Sequence, residues 1–452
     1  MSTINIREFL DNNKTSSYQF MIISLMFLTV IMDGIDVAIM GFLAPELKRQ
    51  WAISNIEIAP VLGSALFGLA IGAMIAGPIA DKFGRKLILV SCVFTFGLFT
   101  LLGATSHTTT SLIIYRFIAG VAMGGVMPQA ATLISEYSPA KHRSLFVTIV
   151  FAGFTVGAAS GGFIASWLIP HYGWRSVLVV CGIMPMMLSV LLLIKLPESI
   201  SFMVLKNYSK DKVIQIVNRI KSNTANESTT FILPQIQVVE ANPIKTVLNQ
   251  HYIVGSICLW LAYFFALFLV YLLGSWLPTI IEEAGFSLSQ AAIIAAIFQL
   301  GGPLGSVTMG WLMDRYSPHK VLACTYTIGA AIMALMSYAS VHFALLSFIA
   351  FFVGFCFNGA NTGMNALSSL FFPTSARATG NSWMHGIGRV GAILSAYAGA
   401  FMLDAGWGLS QVLLSLIIPA VLISCLIMLK KYWYQHALSI EAAQCSASLE
   451  QA

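Results

Sequence analysis

Long apolar runs alternate with short polar segments along most of the chain. Because a membrane-crossing helix needs about 20 mostly apolar residues, the pattern predicts twelve spans, over residues 19–43, 57–80, 87–105, 110–135, 144–168, 174–195, 250–277, 288–312, 320–340, 342–369, 378–403 and 407–430. A polar stretch over 196–250 separates the sixth span from the seventh. We therefore predict an all-α membrane protein with an N-terminal six-helix half (1–195), a cytoplasmic linker (196–250) and a C-terminal six-helix half with a cytoplasmic tail (251–452).

Composition supports this prediction and excludes several classes of protein. Of the 452 residues, 58% are hydrophobic and 9% are charged, whereas an ordinary soluble protein has about 25% charged residues. This excludes a soluble enzyme, a disordered protein and a nucleic-acid binder. The seven cysteines form no CxxC pair, so we expect neither a disulfide framework nor a metal site. The polar N-terminus lacks a short apolar core with a cleavage site, so we expect the first span to be retained.

The basic residues predict the orientation of the spans. Lys and Arg collect on the cytoplasmic side of membrane proteins. With both termini inside, nineteen of the 24 Lys and Arg residues fall in inside segments and three in outside segments. Arg116 and Arg389 remain within spans. The distribution favours an even number of spans with both termini cytoplasmic.

The two halves share a sequence repeat. The segment from Gly77 to Lys82 recurs 233 residues later, from Gly310 to Arg315. Pro139 and Arg143 recur at Pro373 and Arg377, and 156–158 recurs at 390–392, both at an offset of 234. The matches predict two parallel, pseudo-symmetric six-helix repeats, an architecture found in transporters that bind substrate near the bilayer midplane.

Three motifs resemble those of a known superfamily. The run Gly77-Pro-Ile-Ala-Asp81-Lys-Phe-Gly84-Arg85-Lys86 resembles the loop 2–3 motif of the major facilitator superfamily. The run from Glu136 to Arg143 resembles its motif after helix 4, and Leu196-Pro-Glu-Ser199 the motif closing helix 6 in sugar-porter-like branches. The second copy of the loop motif departs from the pattern, because Tyr316-Ser-Pro-His-Lys320 replaces its Gly and Arg.

A narrower resemblance concerns the first helix. Asp33-Gly-Ile-Asp36, followed by Arg116-Phe-Ile-Ala-Gly120 in helix 4, is similar to the aromatic acid:proton symporter family, whose first helix carries a D-G-x-D motif. The resemblance implies the major facilitator fold and uptake of benzoate, 4-hydroxybenzoate, protocatechuate, vanillate or related carboxylates together with protons.

Three charged residues lie within spans of the first half, away from the ends of the spans. Such groups persist in lipid-embedded helices when they are paired or face water. Asp33 and Asp36 share one helical face, and Arg116 enters its helix from the same side at a comparable depth, so we predict that they meet. Two interpretations are open. The acids bind the coupling proton while Arg116 binds the substrate carboxylate or switches between it and the acids, or the three form a permanent structural salt bridge.

The second half carries its own polar candidates. Arg389 lies about 18 Å into helix 11 and is either a second anchor for the carboxylate or a packing partner. Asn358, Asn361 and Asn365 form one face of helix 10, which either lines the cavity and binds ring hydroxyls or makes interhelical bonds. His385 either titrates near neutral pH or is a hydrogen-bonded packing residue, and we favour packing. The helix 7 aromatics, which include Tyr263 and Trp276, either stack on an aromatic substrate or, as we favour, face lipid or pack between helices.

Six charged residues lie at predicted cytoplasmic helix ends and are candidates for a conformational gate. We predict that they form salt-bridge latches that hold the outward-facing state: Asp81, Arg85, Glu136, Arg143, Asp314 and Arg377. Ordinary basic flanks are the alternative, and they explain Lys82 and Lys86 better than they explain the acids.

Together these features predict a transporter that is not an enzyme and needs no cofactor. We expect a monomer in the bacterial inner membrane whose partners are a small aromatic carboxylate, protons and the lipid bilayer. A symporter of the same fold for another organic acid, such as muconate or a sugar acid, is one alternative. A transporter-like sensor whose linker signals to a partner is another.

Overall fold

The computed structural model describes residues 3–206, 208, 210–232, 243–249, 252–338, 342–372 and 376–450, with backbone alone for residues 243, 378 and 434–450. Among these residues, twelve helical segments are long and apolar enough to cross a membrane. The predicted fold class is therefore confirmed. Pro373, part of one repeat match, and residues 233–242 and 250 of the linker lie outside the described residues.

The first part of the chain contains one short strand and seven helices: β1 (Thr3–Asn5), α1 (Ile6–Asp11), α2 (Ser17–Trp51), α3 (Asn55–Phe83), α4 (Arg85–Gly103), α5 (Thr109–Tyr137), α6 (Ala140–Tyr172) and α7 (Trp174–Lys195). The linker region contains four short elements: α8 (Ile200–Leu205), α9 (Lys210–Ile220), β2 (Thr230–Ile232) and α10 (Pro243–Val247). The last part contains seven helices: α11 (Ile253–Glu283), α12 (Leu288–Arg315), α13 (Pro318–Tyr338), α14 (Phe343–Phe371), α15 (Arg377–Asp404), α16 (Leu409–Ser415) and α17 (Ile417–Glu450). The twelfth span, Leu409–Trp433, combines α16 with the start of α17.

Packing divides the chain into two compact units. The first unit contains Met1–Leu43 and Pro60–Gln237, and the second contains Ala44–Ala59 and Val238–Ala452. Each unit has its own hydrophobic interior, and each holds a separate part of the predicted site.

The first part of the linker folds onto the first unit. Val213, Ile216 and Val217 of α9 are buried in the core of that unit, because their spacing places them on one apolar stripe. β2 pairs in parallel with β1, with Thr3 opposite Thr230. The N-terminal segment and the linker are thus tied to each other, an addition that the hydropathy pattern did not predict.

The sequence repeat recurs as a packing repeat. A Cβ atom at Gly157 of α6 would lie 2.1 Å from the carbonyl oxygen of Ile31 in α2, and a Cβ at Gly391 of α15 would lie 2.2 Å from that of Phe264 in α11. The two contacts are related by offsets of 233 and 234 residues, the offsets of the sequence matches. Because helices approach this closely only where a side chain is missing, the repeat preserves helix pairs as well as motifs.

Gly157→Ala is expected to destabilise the first unit, because the new methyl group would overlap the backbone of α2 and push the two helices apart. Gly161→Ala, one turn later in α6, is the matched control, since its Cβ would lie at an ordinary 3.5 Å from Ile35. Overpacking of this kind costs about 1–3 kcal/mol, so we expect the melting temperature in detergent to fall by about 5 °C for Gly157→Ala only. Equal melting temperatures for the two variants would contradict the close helix contact.

Candidate functional site

A buried ion pair connects three helices of the first unit. Asp36 of α2 accepts 2.8 Å hydrogen bonds from Arg116 of α5, one from Nη1 to its carboxylate and one from Nη2 to its backbone carbonyl. Thr100 of α4 donates to the other carboxylate oxygen of Asp36, and its hydroxyl oxygen also accepts a 3.3 Å bond from Arg116 Nη1. The structure therefore brings together Asp36 and Arg116, as predicted from their depth in the helices, and adds Thr100.

Because the ion pair is buried, removing either partner would cost the protein stability. Asp36 is 0% exposed and Arg116 is 1% exposed, and Arg116 Nε has no hydrogen-bond acceptor among the described residues. Removing one member of such a pair leaves an uncompensated charge away from water, at a cost of about 3–5 kcal/mol. In this arrangement the Arg116 guanidinium is bonded to Asp36. This is consistent with a permanent structural salt bridge and also with one state of a switch.

Asp33 lies one helical turn before Asp36 and is also buried, at 1% exposed. Gly34, which follows Asp33, packs against α6, where an added Cβ would lie 2.0 Å from the carbonyl oxygen of Phe154. This contact fixes the position of α2 around the acidic pair. The D-G-x-D sequence thus combines two buried carboxylates with a close helix contact.

Arg85 joins three helices at the predicted cytoplasmic end of the first unit. Its Nη2 lies 2.9 Å from Asp81 Oδ1 of α3, and its Nε lies 3.7 Å from Glu136 Oε1 of α5. The other predicted latch residues, Arg143, Asp314 and Arg377, form no ion pair within the part of the chain that the structure describes. Of the six gate candidates, the structure brings together Asp81, Arg85 and Glu136.

Glu198 completes this cluster, although sequence analysis assigned it no role. Its Oε1 accepts hydrogen bonds from the backbone N–H groups of Arg85 and Lys86 at 2.9 and 3.0 Å. The N-cap position of α4 is Gly84, which has no side chain to accept these bonds, so a carboxylate from elsewhere caps the helix. The sequence signals for this contact were the Pro197-Glu198 motif and the glycine at the N-cap position of α4.

In the second unit, Arg389 is half-buried on α15 and forms no hydrogen bond or ion pair with the residues described. The Tyr263 side chain of α11 lies within electrostatic range of Arg389 and beside Asn365 of α14. The His385 ring lies one turn before Arg389, with its centroid 5.2 Å from that of Tyr263. Arg389 is therefore a cation without a counter-ion in the described chain, near the side chains of Tyr263 and His385.

The three asparagines of α14 separate into two kinds. Asn358 is buried, and its Nδ2 donates a 3.1 Å hydrogen bond to Gln299 Oε1 of α12, which is the interhelical bond of the alternative interpretation. Asn361 and Asn365 are half-buried, and the Oδ1 of each accepts no hydrogen bond within the described ranges. These two carbonyl oxygens are buried and lack a donor in the described chain, and Gln299 is the partner of Asn358 that the sequence did not reveal.

The aromatic residues of α11 pack mainly within the unit. Trp276 Nε1 donates a 3.0 Å hydrogen bond to the carbonyl oxygen of Ala396, and Tyr263 packs on Gly388, where an added Cβ would lie 2.5 Å from its ring. Among the described residues, no group of His, Cys, Asp and Glu side chains is arranged to hold a metal ion.

Comparison with known proteins identifies the family. The model of the Major Facilitator Superfamily matches residues 26–241 and 259–439. The 4-hydroxybenzoate transporter PcaK of Pseudomonas aeruginosa is 43% identical over 94% of this chain and 96% of that protein. The gallate transporter of Pseudomonas putida is 39% identical over 92% and 93% of the two chains, respectively. The benzoate transport protein of Acinetobacter baylyi is 35% identical over 93% and 91%.

A solved structure agrees at the level of the fold. The xylose transporter XylE from E. coli, in an inward-open conformation, is 18% identical, with a TM-score of 0.71 over 91% of this chain and 95% of that chain. The family and these relatives consist of transporters, and the twelve apolar helices make the chain an integral membrane protein. The chain therefore belongs to the major facilitator superfamily and, within it, to the family of aromatic acid transporters.

Proposed function

We propose that the protein imports aromatic carboxylates of the 4-hydroxybenzoate, protocatechuate, benzoate or vanillate class together with protons, by alternating access. It does so as a monomeric transporter rather than an enzyme, in the bacterial inner membrane, with both termini in the cytoplasm. The names of the relatives support the substrate class, and the asymmetry of Lys and Arg supports the orientation. The observation that carries the proposal is the buried Asp36–Arg116 pair, with Asp33 one turn away.

Proton coupling follows from the charge of the substrate. Moving one anion inward against 100 mV, inside negative, costs about 2.3 kcal/mol. One co-transported proton makes the cycle electrically neutral, and two allow the membrane potential to drive it. Carboxylates within a span are suitable proton carriers because each is charged in one state and neutral in the other. Asp33 and Asp36 provide two such groups in one helix.

The Asp36–Arg116 geometry provides a coupling step. Nη1 of Arg116 is bonded to the Asp36 carboxylate and Nη2 to the Asp36 backbone carbonyl, so protonation of Asp36 weakens the hold on Nη1 and makes it available to a substrate carboxylate. Protonation removes the charge that holds the guanidinium, and substrate binding replaces it. Deprotonation inside the cell restores the pair and displaces the substrate. This cycle makes proton binding and substrate binding cooperative.

Arg389 is the second proposed carboxylate anchor. A guanidinium without a counter-ion matches a carboxylate through two parallel hydrogen bonds. Asn361 and Asn365 supply hydrogen-bond acceptors for ring substituents, while Asn358 donates a hydrogen bond to Gln299. If both arginines bind the same carboxylate, they do so in different steps of the cycle. Asp81, Arg85, Glu136, Arg143, Asp314 and Arg377 are proposed to set the balance between conformers.

The test is uptake of labelled 4-hydroxybenzoate into proteoliposomes of the purified protein, with an imposed pH gradient, acidic outside. We expect accumulation above equilibrium that collapses when a protonophore is added, and competition by unlabelled benzoate but not by muconate or sialate. Accumulation that persists after the protonophore is added would contradict proton coupling. Competition by muconate or sialate alone would favour a symporter of another acid, and no flux of any acid would favour a sensor.

A further inference from the structure

Helix α15 exposes two different faces within its spanning segment. One is apolar, with Val390, Leu394 and Phe401 exposed by 49%, 47% and 62%, as expected of a surface in contact with lipid. The other carries His385, which is exposed, and Arg389, which is half-buried. At 3.6 residues per turn these two lie more than about 100° around the helix from the apolar face. Because ionisable groups within a span face protein or water rather than lipid, we expect the polar face to border protein or water.

The hydrogen bond of His385 defines which of its ring atoms is available. Nδ1 lies 2.9 Å from the backbone carbonyl oxygen of Asn381. A carbonyl oxygen only accepts, so Nδ1 carries the hydrogen atom of this bond. In the neutral ring, Nε2 then has a lone pair and accepts hydrogen bonds. Nε2 of the neutral His385 ring is therefore an acceptor.

The surroundings of His385 add a second acceptor and a cation. Asn365 Oδ1 is buried and receives no donor among the described residues, and Tyr263 lies beside both Asn365 and His385. Arg389 follows His385 by four residues, about 6 Å along the helix axis. The cation and the acceptor therefore lie on the same face of α15, one helical turn apart.

We propose that His385, with Asn365 beside it, accepts a hydrogen bond from the ring hydroxyl of the substrate, and that this contact makes the protein select hydroxylated over unsubstituted aromatic acids. The inference rests on the proposed function and adds the residues that recognise the ring substituent. A site built to hydrogen-bond a hydroxyl discriminates against an analogue without one, because its acceptors then lose their hydration without gaining a donor.

Competition against labelled 4-hydroxybenzoate uptake tests the proposal, with unlabelled 4-hydroxybenzoate, benzoate and 4-fluorobenzoate as competitors. We expect the unmodified protein to bind 4-hydroxybenzoate at least about tenfold more tightly than the two acids that cannot donate. His385→Phe, which keeps a ring against Tyr263 but removes the acceptor, is expected to weaken 4-hydroxybenzoate about tenfold and to change benzoate less than about twofold. His385→Gln, which restores an acceptor, is expected to recover part of the preference.

Leu394→Ala, on the apolar face of the same helix, is the control and should leave the preference unchanged. An equal loss for 4-hydroxybenzoate and benzoate in His385→Phe would overturn the proposal, since it indicates a role in folding or in carboxylate binding. An unchanged preference would overturn it as well. Failure of the proposed function gives a different result, because the unmodified protein would then take up neither labelled 4-hydroxybenzoate nor labelled benzoate.

Discussion

Asp36→Asn and Arg116→Gln are each expected to abolish gradient-driven uptake and to lower stability, whereas the double variant is expected to regain stability without regaining uptake. Each single change leaves one buried charge without its partner, at a cost of about 3–5 kcal/mol. The double variant replaces the ion pair by neutral groups that still hydrogen-bond, so the desolvation cost of an isolated charge disappears. Melting temperature in detergent and uptake into proteoliposomes, measured on all three variants, separate the two effects.

The double variant decides between the two interpretations of the pair. If it concentrates substrate as the unmodified protein does, the pair is a structural salt bridge and the proposed coupling step is wrong. Ser189→Ala is a suitable control, because this buried serine bonds only a carbonyl of its own helix in the described chain and its loss should change neither readout greatly.

Asp33→Asn is expected to lose accumulation while keeping most of the stability, because the Asp36–Arg116 bonds remain in place. Exchange of labelled for unlabelled substrate at equal concentrations on both sides shows whether binding survives when coupling is lost. Normal accumulation by Asp33→Asn would show that this acid is not needed for coupling.

The helices and their repeat were predictable from the sequence because each depends on a local property. A span needs only an apolar run, and the offset between Gly157 and Gly391 marks equivalent helix pairs in the two halves. The meeting of Asp36 and Arg116 followed from their depths in two helices. Which of the two acids holds the arginine did not, since Asp33 and Asp36 lie on the same face and differ only by one turn.

Partners that come from distant, unpatterned segments were not predictable. Thr100 is one of several hydroxyl residues in its span, and Gln299 is one amide in a mostly apolar helix, so neither stands out until packing places it against an acid or an asparagine. The pairing of β1 with β2 joins two three-residue strands more than 220 residues apart. Strands this short carry no usable alternation, and their pairing depends on the fold around them.

Arg389→Gln is expected to reduce uptake of 4-hydroxybenzoate by about 100-fold or more while leaving the melting temperature nearly unchanged. The stability argument is the reverse of that for Arg116, because Arg389 has no ion-pair partner among the described residues, so its removal leaves no carboxylate stranded. The loss of uptake reflects a charge-assisted bidentate contact, worth about 3 kcal/mol when both of its bonds are lost.

Arg389→Lys tests the geometry of this contact rather than its charge. Lysine keeps the positive charge but lacks the planar donor fork, so we expect an intermediate affinity for 4-hydroxybenzoate, between those of the unmodified protein and Arg389→Gln. In the same assay the amide 4-hydroxybenzamide, which has the ring and the hydroxyl but no negative charge, should compete poorly with the unmodified protein. Strong competition by the amide, or normal uptake by Arg389→Gln, would remove Arg389 from the binding of the carboxylate and leave Arg116 as its anchor. Because the two arginines differ in whether a carboxylate already holds them, the paired stability and uptake measurements distinguish a switch from an anchor.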